Sequence, residues 1–282
     1  MVGCQAIIHL NNKLLPQNLL KISFRNKLIY KQLYIMDEIF YEVFSNLPRQ
    51  GPGDVCVSLE ALKSIPFSNS EVRMADIGCG TGFQTLYLAQ HIKGSILAID
   101  NHQPYLDELT QKAGEAGLDS VISVKLGDMG ALDLPLSYFD VLWAEGAIYI
   151  IGLKNGLQNW RKFLKPKGYI VFSDICWLKP NPPAELADFW NNEVPGMMDA
   201  AQIRQVIAEN EYTITNEFLL PSSSWVNNYY YPLSLNVARL RIKYRNEPEK
   251  LEIIESVQHE IDIFHKYSDY YSYKFFVAQS NR

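Results

Sequence analysis

The sequence predicts an α/β protein built on a Rossmann-like, doubly wound, seven-stranded and mostly parallel sheet. Three observations predict it. Short apolar runs alternate with helical patterns from Val72 to Ser173. The first run ends in a glycine-rich turn, Asp76-Ile77-Gly78-Cys79-Gly80-Thr81-Gly82, that opens a helix. The runs are apolar throughout rather than alternating, as suits strands buried on both faces.

The elements follow in order. Apolar residues at helical spacing (Leu33, Met36, Ile39, Phe40, Val43, Phe44) predict a helix over Lys31 to Leu47. It stops near Pro48 and Gly51-Pro52-Gly53, and a second helix runs from Asp54 to Ile65. Strands are expected over Val72 to Ile77, Ser95 to Ile99, Val121 to Leu126, Phe139 to Ala144 and Tyr169 to Ser173. Helices are expected between them over Phe83 to Ile92, Tyr105 to Ala116 and Leu153 to Leu164, the last stopped by Pro166-Lys167-Gly168. A helix at Ala200 to Glu209 and strands at Tyr212 to Leu220 and Tyr271 to Ala278 complete the pattern. The roughly 50 residues between those two strands exceed a hairpin turn and read as a lid, with helices near Leu233 to Tyr244 and Glu249 to His265. The aromatic run Tyr267 to Tyr273 alternates like an edge strand.

Bulk properties exclude several classes. The 282 residues carry a net charge of −5, against a duplex nucleic-acid binder. Four scattered cysteines and five histidines give no zinc spacing, so no metal is expected, and the thiols read as free in a cytoplasmic protein. No apolar run reaches the roughly 18 residues of a membrane span. The first 36 residues hold five basic residues and no acidic one. Residues 1–29 read as a flexible extension and 30–282 as one domain, with a core over about 70–175 and a lid over about 176–268.

The glycine turn selects a nucleotide-like ligand, because glycine lets backbone and helix N–H groups approach it closely. The dinucleotide fingerprint is Gly-x-Gly-x-x-Gly, yet here the glycines are Gly78, Gly80 and Gly82. Asp76 before the turn would repel a pyrophosphate. It suits an ammonium or a sulfonium, and S-adenosylmethionine carries both. Asp100 with Asn101, 18 residues after Gly82, is placed to accept from ribose hydroxyls. Gly127, Asp128 and Met129 suit an adenine edge and face, and Glu145 closes the fourth strand. Gln50 and Gly51 read as an entry loop touching the methionine end. An acid at a strand end is also a common helix N-cap; four such features in order favour the cofactor.

The stretches Ala75 to Gly82, Asp100, Gly127-Asp128, Phe139 to Gly146 and Leu164 to Phe172 resemble the successive motifs of class I S-adenosylmethionine-dependent methyltransferases. A narrower likeness, in Arg49 to Gly53, Glu145 to Tyr149, Asp188 to Trp190, Trp225 and Tyr229 to Pro232, is to a little-characterised bacterial small-molecule subgroup. The resemblance implies an antiparallel last strand, N-terminal helices and a helical lid inserted between the last two strands. It also implies S-adenosylmethionine as cofactor and methyl transfer by in-line displacement.

Such a displacement needs positioning and exclusion of water more than a catalytic triad. Aromatic groups suit both a sulfonium and an apolar acceptor. Tyr149, Trp177, Trp190, Trp225, Tyr229 and Tyr230 are therefore the candidate acceptor residues, with core packing as their plainer role. Tyr149 and His102 are the candidate catalytic groups; His102 equally suits a helix start. The expected partner is a small-molecule methyl acceptor, and monomer and homodimer both stay open. Alternatives are a protein or RNA methyltransferase, disfavoured by the lack of an Asn-Pro-Pro-Tyr run after the fourth strand, and a non-catalytic cofactor-binding module. The glycine spacing makes an NAD-dependent oxidoreductase the poorest fit.

Overall fold

The structure, a computed structural model, describes residues 38–67 and 71–282. The expected extension and the start of the expected Lys31 to Leu47 helix lie outside the described residues. In chain order the elements are α1 (38–43), α2 (Val55–Lys63), β1 (Val72–Ile77), α3 (Phe83–His91), β2 (Gly94–Asp100) and α4 (Gln103–Glu115). Then come β3 (Ile122–Leu126), β4 (Phe139–Glu145), α5 (Leu153–Trp160), β5 (Leu164–Trp177), α6 (Ala184–Glu193), α7 (Ala200–Glu209) and β6 (Tyr212–Leu219). A short helical turn (Ser222–Trp225) and a π-helical turn (Val226–Tyr230) lead into α8 (Tyr231–Lys243), α9 (Pro248–Tyr267) and β7 (Tyr271–Ser280).

Local chemistry explains the boundaries. Asp54 caps α2 by accepting from the Cys56 N–H at 2.8 Å. Asp199 and Gln202 form a reciprocal capping box at the start of α7, both bonds at 2.9 Å. Two expectations are corrected. The helix expected over Leu153 to Leu164 ends at Trp160; a 3-10 turn, Arg161–Phe163, follows, and Leu164 already begins β5. Pro166 does not stop the chain there. It falls where the β4–β5 register jumps from Phe139↔Leu164 to Val141↔Tyr169, so its missing N–H interrupts no ladder with β4. No separate helix was expected at α6, which Pro183 opens at its N-cap.

The seven strands form one sheet in the order β3-β2-β1-β4-β5-β7-β6. The neighbours from β3 to β5 are parallel, and β7 runs antiparallel to both β5 and β6. The strand reached through the Tyr267 to Tyr273 run is therefore interior, not an edge. Tyr267 closes α9, and Tyr271 enters β7 between two hydrogen-bonded neighbours. Only Tyr271 to Tyr273 of that run lie in the strand, and all three are buried.

The chain divides into two compact units. The first holds the sheet and comprises Pro48–Pro180, Met197–Tyr229 and Asp269–Arg282. One face of its sheet buries Ala75, Leu142, Ala144, Ile170, Phe172 and Phe276 against Leu157, Trp160 and Ile203 of α5 and α7. Phe172 and Phe276 stack across β5 and β7 with centroids 5.4 Å apart. The second unit contains the described residues 38–47 with Asn181–Gly196 and Tyr230–Ser268. There the Asn236 amide donates to the carbonyls of Val43 (3.0 Å) and Ser45 (2.8 Å), and the Tyr230 hydroxyl donates to the buried Glu260 at 3.0 Å. The segment expected as one lid, 176–268, is thus shared between the units.

Phe172→Ala should cost about 3–5 kcal/mol in urea unfolding, since it empties the centre of the sheet. Tyr231→Ala, at a position 63% exposed, should stay within about 0.5 kcal/mol.

Candidate active site

The glycine turn is built as its residue types require. Gly78, Gly80 and Gly82 have φ of 77°, 55° and 83°, a left-handed conformation that side chains resist. A Cβ at Gly80 would lie 2.6 Å from Gln50 Oε1, and one at Gly78 would lie 2.7 Å from the Ala147 Cβ. The Gly78 and Cys79 N–H groups donate to the Ile99 carbonyl at 2.8 and 3.0 Å, which locks the turn onto the end of β2.

Asp100 stands where β2 meets this turn. Its carboxylate accepts from the Gly80 N–H at 2.9 Å and the His102 N–H at 3.0 Å. Burial raises its pKa, opposed by the N–H groups of Gly80, His102 and Asn101. His102 precedes α4 with its ring against Tyr105, centroids 4.6 Å apart. Gly127 is tied to the Asp100 carbonyl at 2.9 Å. Asp128 accepts from the Gly130 N–H at 2.8 Å, and the Met129 methyl lies 3.4 Å from where a Cβ on Gly78 would sit. The structure therefore gathers Gly78 to Gly82, Asp100, Asn101, Gly127, Asp128 and Met129 around the carboxyl ends of β1, β2 and β3.

Asp76 is fully buried in β1. Its carboxyl accepts from Thr85 Oγ1 at 2.6 Å and Gln84 Nε2 at 3.1 Å, both in α3. Burial pushes its pKa up to about 7; Thr85 and Gln84 pull it down, and the neighbouring Glu145 charge adds to the rise. Glu145 is also committed: it accepts from Ser58 Oγ at 2.6 Å, Trp143 Nε1 at 2.9 Å and Arg49 Nη2 at 3.3 Å.

Arg49 is the residue that sequence reasoning passed over as a site residue. It is buried, and its guanidinium lies 5.3 Å from the centroid of Phe83. It presses so closely on Gly53 that a Cβ there would meet Nη1 at 1.7 Å. Gln50 reaches the glycine turn, its Oε1 accepting from the Thr81 N–H at 3.0 Å. Arg49 Nε and Nη1, Gln50 Nε2 and Thr81 Oγ1 are buried without a hydrogen-bond partner among the described residues. Four orphaned polar groups beside one turn are costly, and all four can donate. The set fits an anionic group such as a carboxylate.

The aromatic candidates separate. Tyr149 is buried in the 3-10 turn Ile148–Ile150 after β4. Trp177 ends β5, half-buried. Trp225 and Tyr229, both buried, belong to the sheet unit with them. Trp225 stacks on Tyr273 (5.1 Å, 19°) and donates from Nε1 to Ser272 Oγ at 3.2 Å. Trp190 and Tyr230 belong to the other unit, where Trp190 packs edge-to-face on Phe189 and Tyr230 packs on Phe264. Among the described residues no cluster of metal-binding side chains occurs.

Residues 74–168 match the family described as a methyltransferase domain. The sheet order is that of the Rossmann-like fold of solved methyltransferases. The domain resembles phosphoethanolamine N-methyltransferase 1 of Arabidopsis thaliana, at 25% identity over 142 residues, half of this chain and 28% of that protein. It also resembles the uncharacterized methyltransferase YodH of Bacillus subtilis, at 27% identity over 143 residues, 49% of this chain and 59% of that protein. The chain thus spans under two thirds of these relatives. A solved methyltransferase from Geobacter sulfurreducens, in complex with S-adenosylhomocysteine, shares the fold with a TM-score of 0.73 at 18% identity, over 86% of this chain and 97% of that one. Escherichia coli YjhP does so at 0.76 and 16%, over 86% and 99%.

A second buried carboxyl tests the electrostatics independently. Asp174, one position beyond the Glu145↔Ser173 pair, accepts only from the Ile175 N–H at 2.9 Å among the described residues. Burial raises its pKa from 3.8 to about 7. Below pH 3.8 the group is protonated in both folded and unfolded states. As pH rises, the unfolded chain releases the proton first, so stability is lost progressively and the loss is complete above about 7. Asp174→Asn should flatten the fall in unfolding free energy over that window by about 1.4 kcal/mol per pH unit. An unchanged slope in urea titrations would count against this assignment.

Proposed function

We propose that the protein transfers a methyl group from S-adenosylmethionine to a small-molecule acceptor. The orphaned donors of Arg49, Gln50 and Thr81 beside the glycine turn carry this reading. They ask for a carboxylate at the distance of one turn from a ribose acceptor, Asp100, and from an adenine site, Asp128 and Met129. The methionine end, ribose and base of that cofactor supply these in the same order.

In the reaction as proposed, a lone pair of the acceptor forms a bond to the methyl carbon while the carbon–sulfur bond breaks with its electrons on sulfur. The bound cofactor supplies an activated leaving group. The chain's own residues position and shield. Asp100 holds the ribose, Gly78 to Gly82 admit the cofactor backbone-close, and Arg49 with Gln50 neutralises and orients the carboxylate. Tyr149, Trp177, Trp225 and Tyr229, all of the sheet unit, are proposed to enclose the acceptor. Tyr149 and His102 are proposed to receive an acceptor proton where one must leave. No described helix is long and apolar enough to cross a membrane, and the described cysteines are free; both accord with the cytoplasmic placement proposed.

Calorimetry with S-adenosylhomocysteine tests the reading, and no heat at millimolar ligand would sink it. Arg49→Ala should weaken that binding roughly ten- to hundredfold, the range for a lost charged hydrogen bond. It should weaken methylthioadenosine, which lacks the amino-acid end, by a much smaller factor. Equal losses for both ligands would show that Arg49 does not face the carboxylate. Asp100→Ala should weaken both ligands alike, because both carry the ribose.

A further inference from the structure

Resting on the cofactor reading, we propose that Asn228 is a positioning residue through which cofactor binding orders the aromatic wall of the acceptor site. The link is a strap, residues 49–54, gripped at two ends. At one end Gln50 holds the Thr81 N–H, and Arg49 holds Glu145. At the other end the Asn228 amide donates to the Gly53 carbonyl at 2.8 Å, and Ser224 Oγ donates to Asp54 Oδ2 at 3.4 Å. Gly53 joins the two ends physically, since the Arg49 guanidinium lies against its Cα.

Asn228 sits in the π-helical turn Val226–Tyr230. Such turns are rare and concentrate at functional sites. Three residues earlier, Trp225 stacks on Tyr273 and meets the edge of Tyr271, centroids 5.8 Å apart. The Tyr273 hydroxyl in turn lies 3.4 Å from where a Cβ on Gly146 would sit, directly after Glu145. The contacts close a ring: Arg49, Glu145, Gly146, Tyr273, Trp225, Asn228, Gly53 and back to Arg49. Arg49 Nε and Nη1 and Gln50 Nε2 have no hydrogen-bond partner among the described residues, so a bound cofactor carboxylate would complete the strap's set of bonds. A ligand that orders one element of such a ring lowers the cost of ordering the rest.

The experiment is hydrogen–deuterium exchange on the whole chain, with and without saturating S-adenosylhomocysteine. In wild type the ligand should slow exchange in 222–230, as well as in the strap, by on the order of fivefold or more. In Asn228→Ala the strap and glycine turn should still gain protection, but 222–230 should not. Asn228→Asp keeps the side chain's size and loses the donor, so it should behave like the alanine variant and serves if that variant misfolds. Binding in wild type without protection of 222–230 overturns the proposal, as does protection that survives in both variants. Absence of binding in wild type overturns the cofactor reading, and this inference with it.

Discussion

The buried pair of Arg49 and Glu145 is the contact on which the crevice depends. Glu145 ends β4, and through its three donors it draws in Ser58 of α2, Trp143 of its own strand and the segment before α2. Removing a charge from such a pair leaves its partner buried and uncompensated, which costs far more than the pair itself contributes. The pair is also incomplete. One long bond at 3.3 Å leaves most of the guanidinium unspent.

The buried carboxyl groups of the sheet unit differ by environment. Asp100 is held by backbone N–H groups, which favour its charged form. Asp76 and Asp174 are sealed in strands with few donors and hold their protons to about pH 7. Asp76, the acid of the glycine motif, spends its oxygens on Gln84 and Thr85 of α3. Its direct role is to fasten the first strand to the helix that follows it.

Much of this was legible in the sequence because backbone geometry dictates residue type. Three left-handed positions call for Gly78, Gly80 and Gly82, and a strand end that meets them calls for an acceptor such as Asp100. That the strands run parallel followed from their alternation with helices. Arg49 was not legible as a site residue, because its partner is 96 positions away and the Gln-Gly-Pro-Gly run that follows reads as a turn. The interior place of β7 was equally hidden, since local alternation cannot distinguish a wet face from a second buried one. Trp190 and Tyr230 look like Trp225 in sequence. Only the three-dimensional contacts assign them to a different unit.

The sheet order has a consequence for how the molecule comes together. β6 is joined to the sheet through β7 alone. Between the two lie the π-turn, α8 and α9. While the chain emerges in order from the ribosome, β6 therefore has no strand to pair with until Tyr271–Ser280 has been made, and β5 presents an open edge for the same interval. The sheet unit is completed by inserting a strand, not by adding one at the rim. Its assembly requires closure of the loop that contains α8 and α9, a contact of long sequence separation.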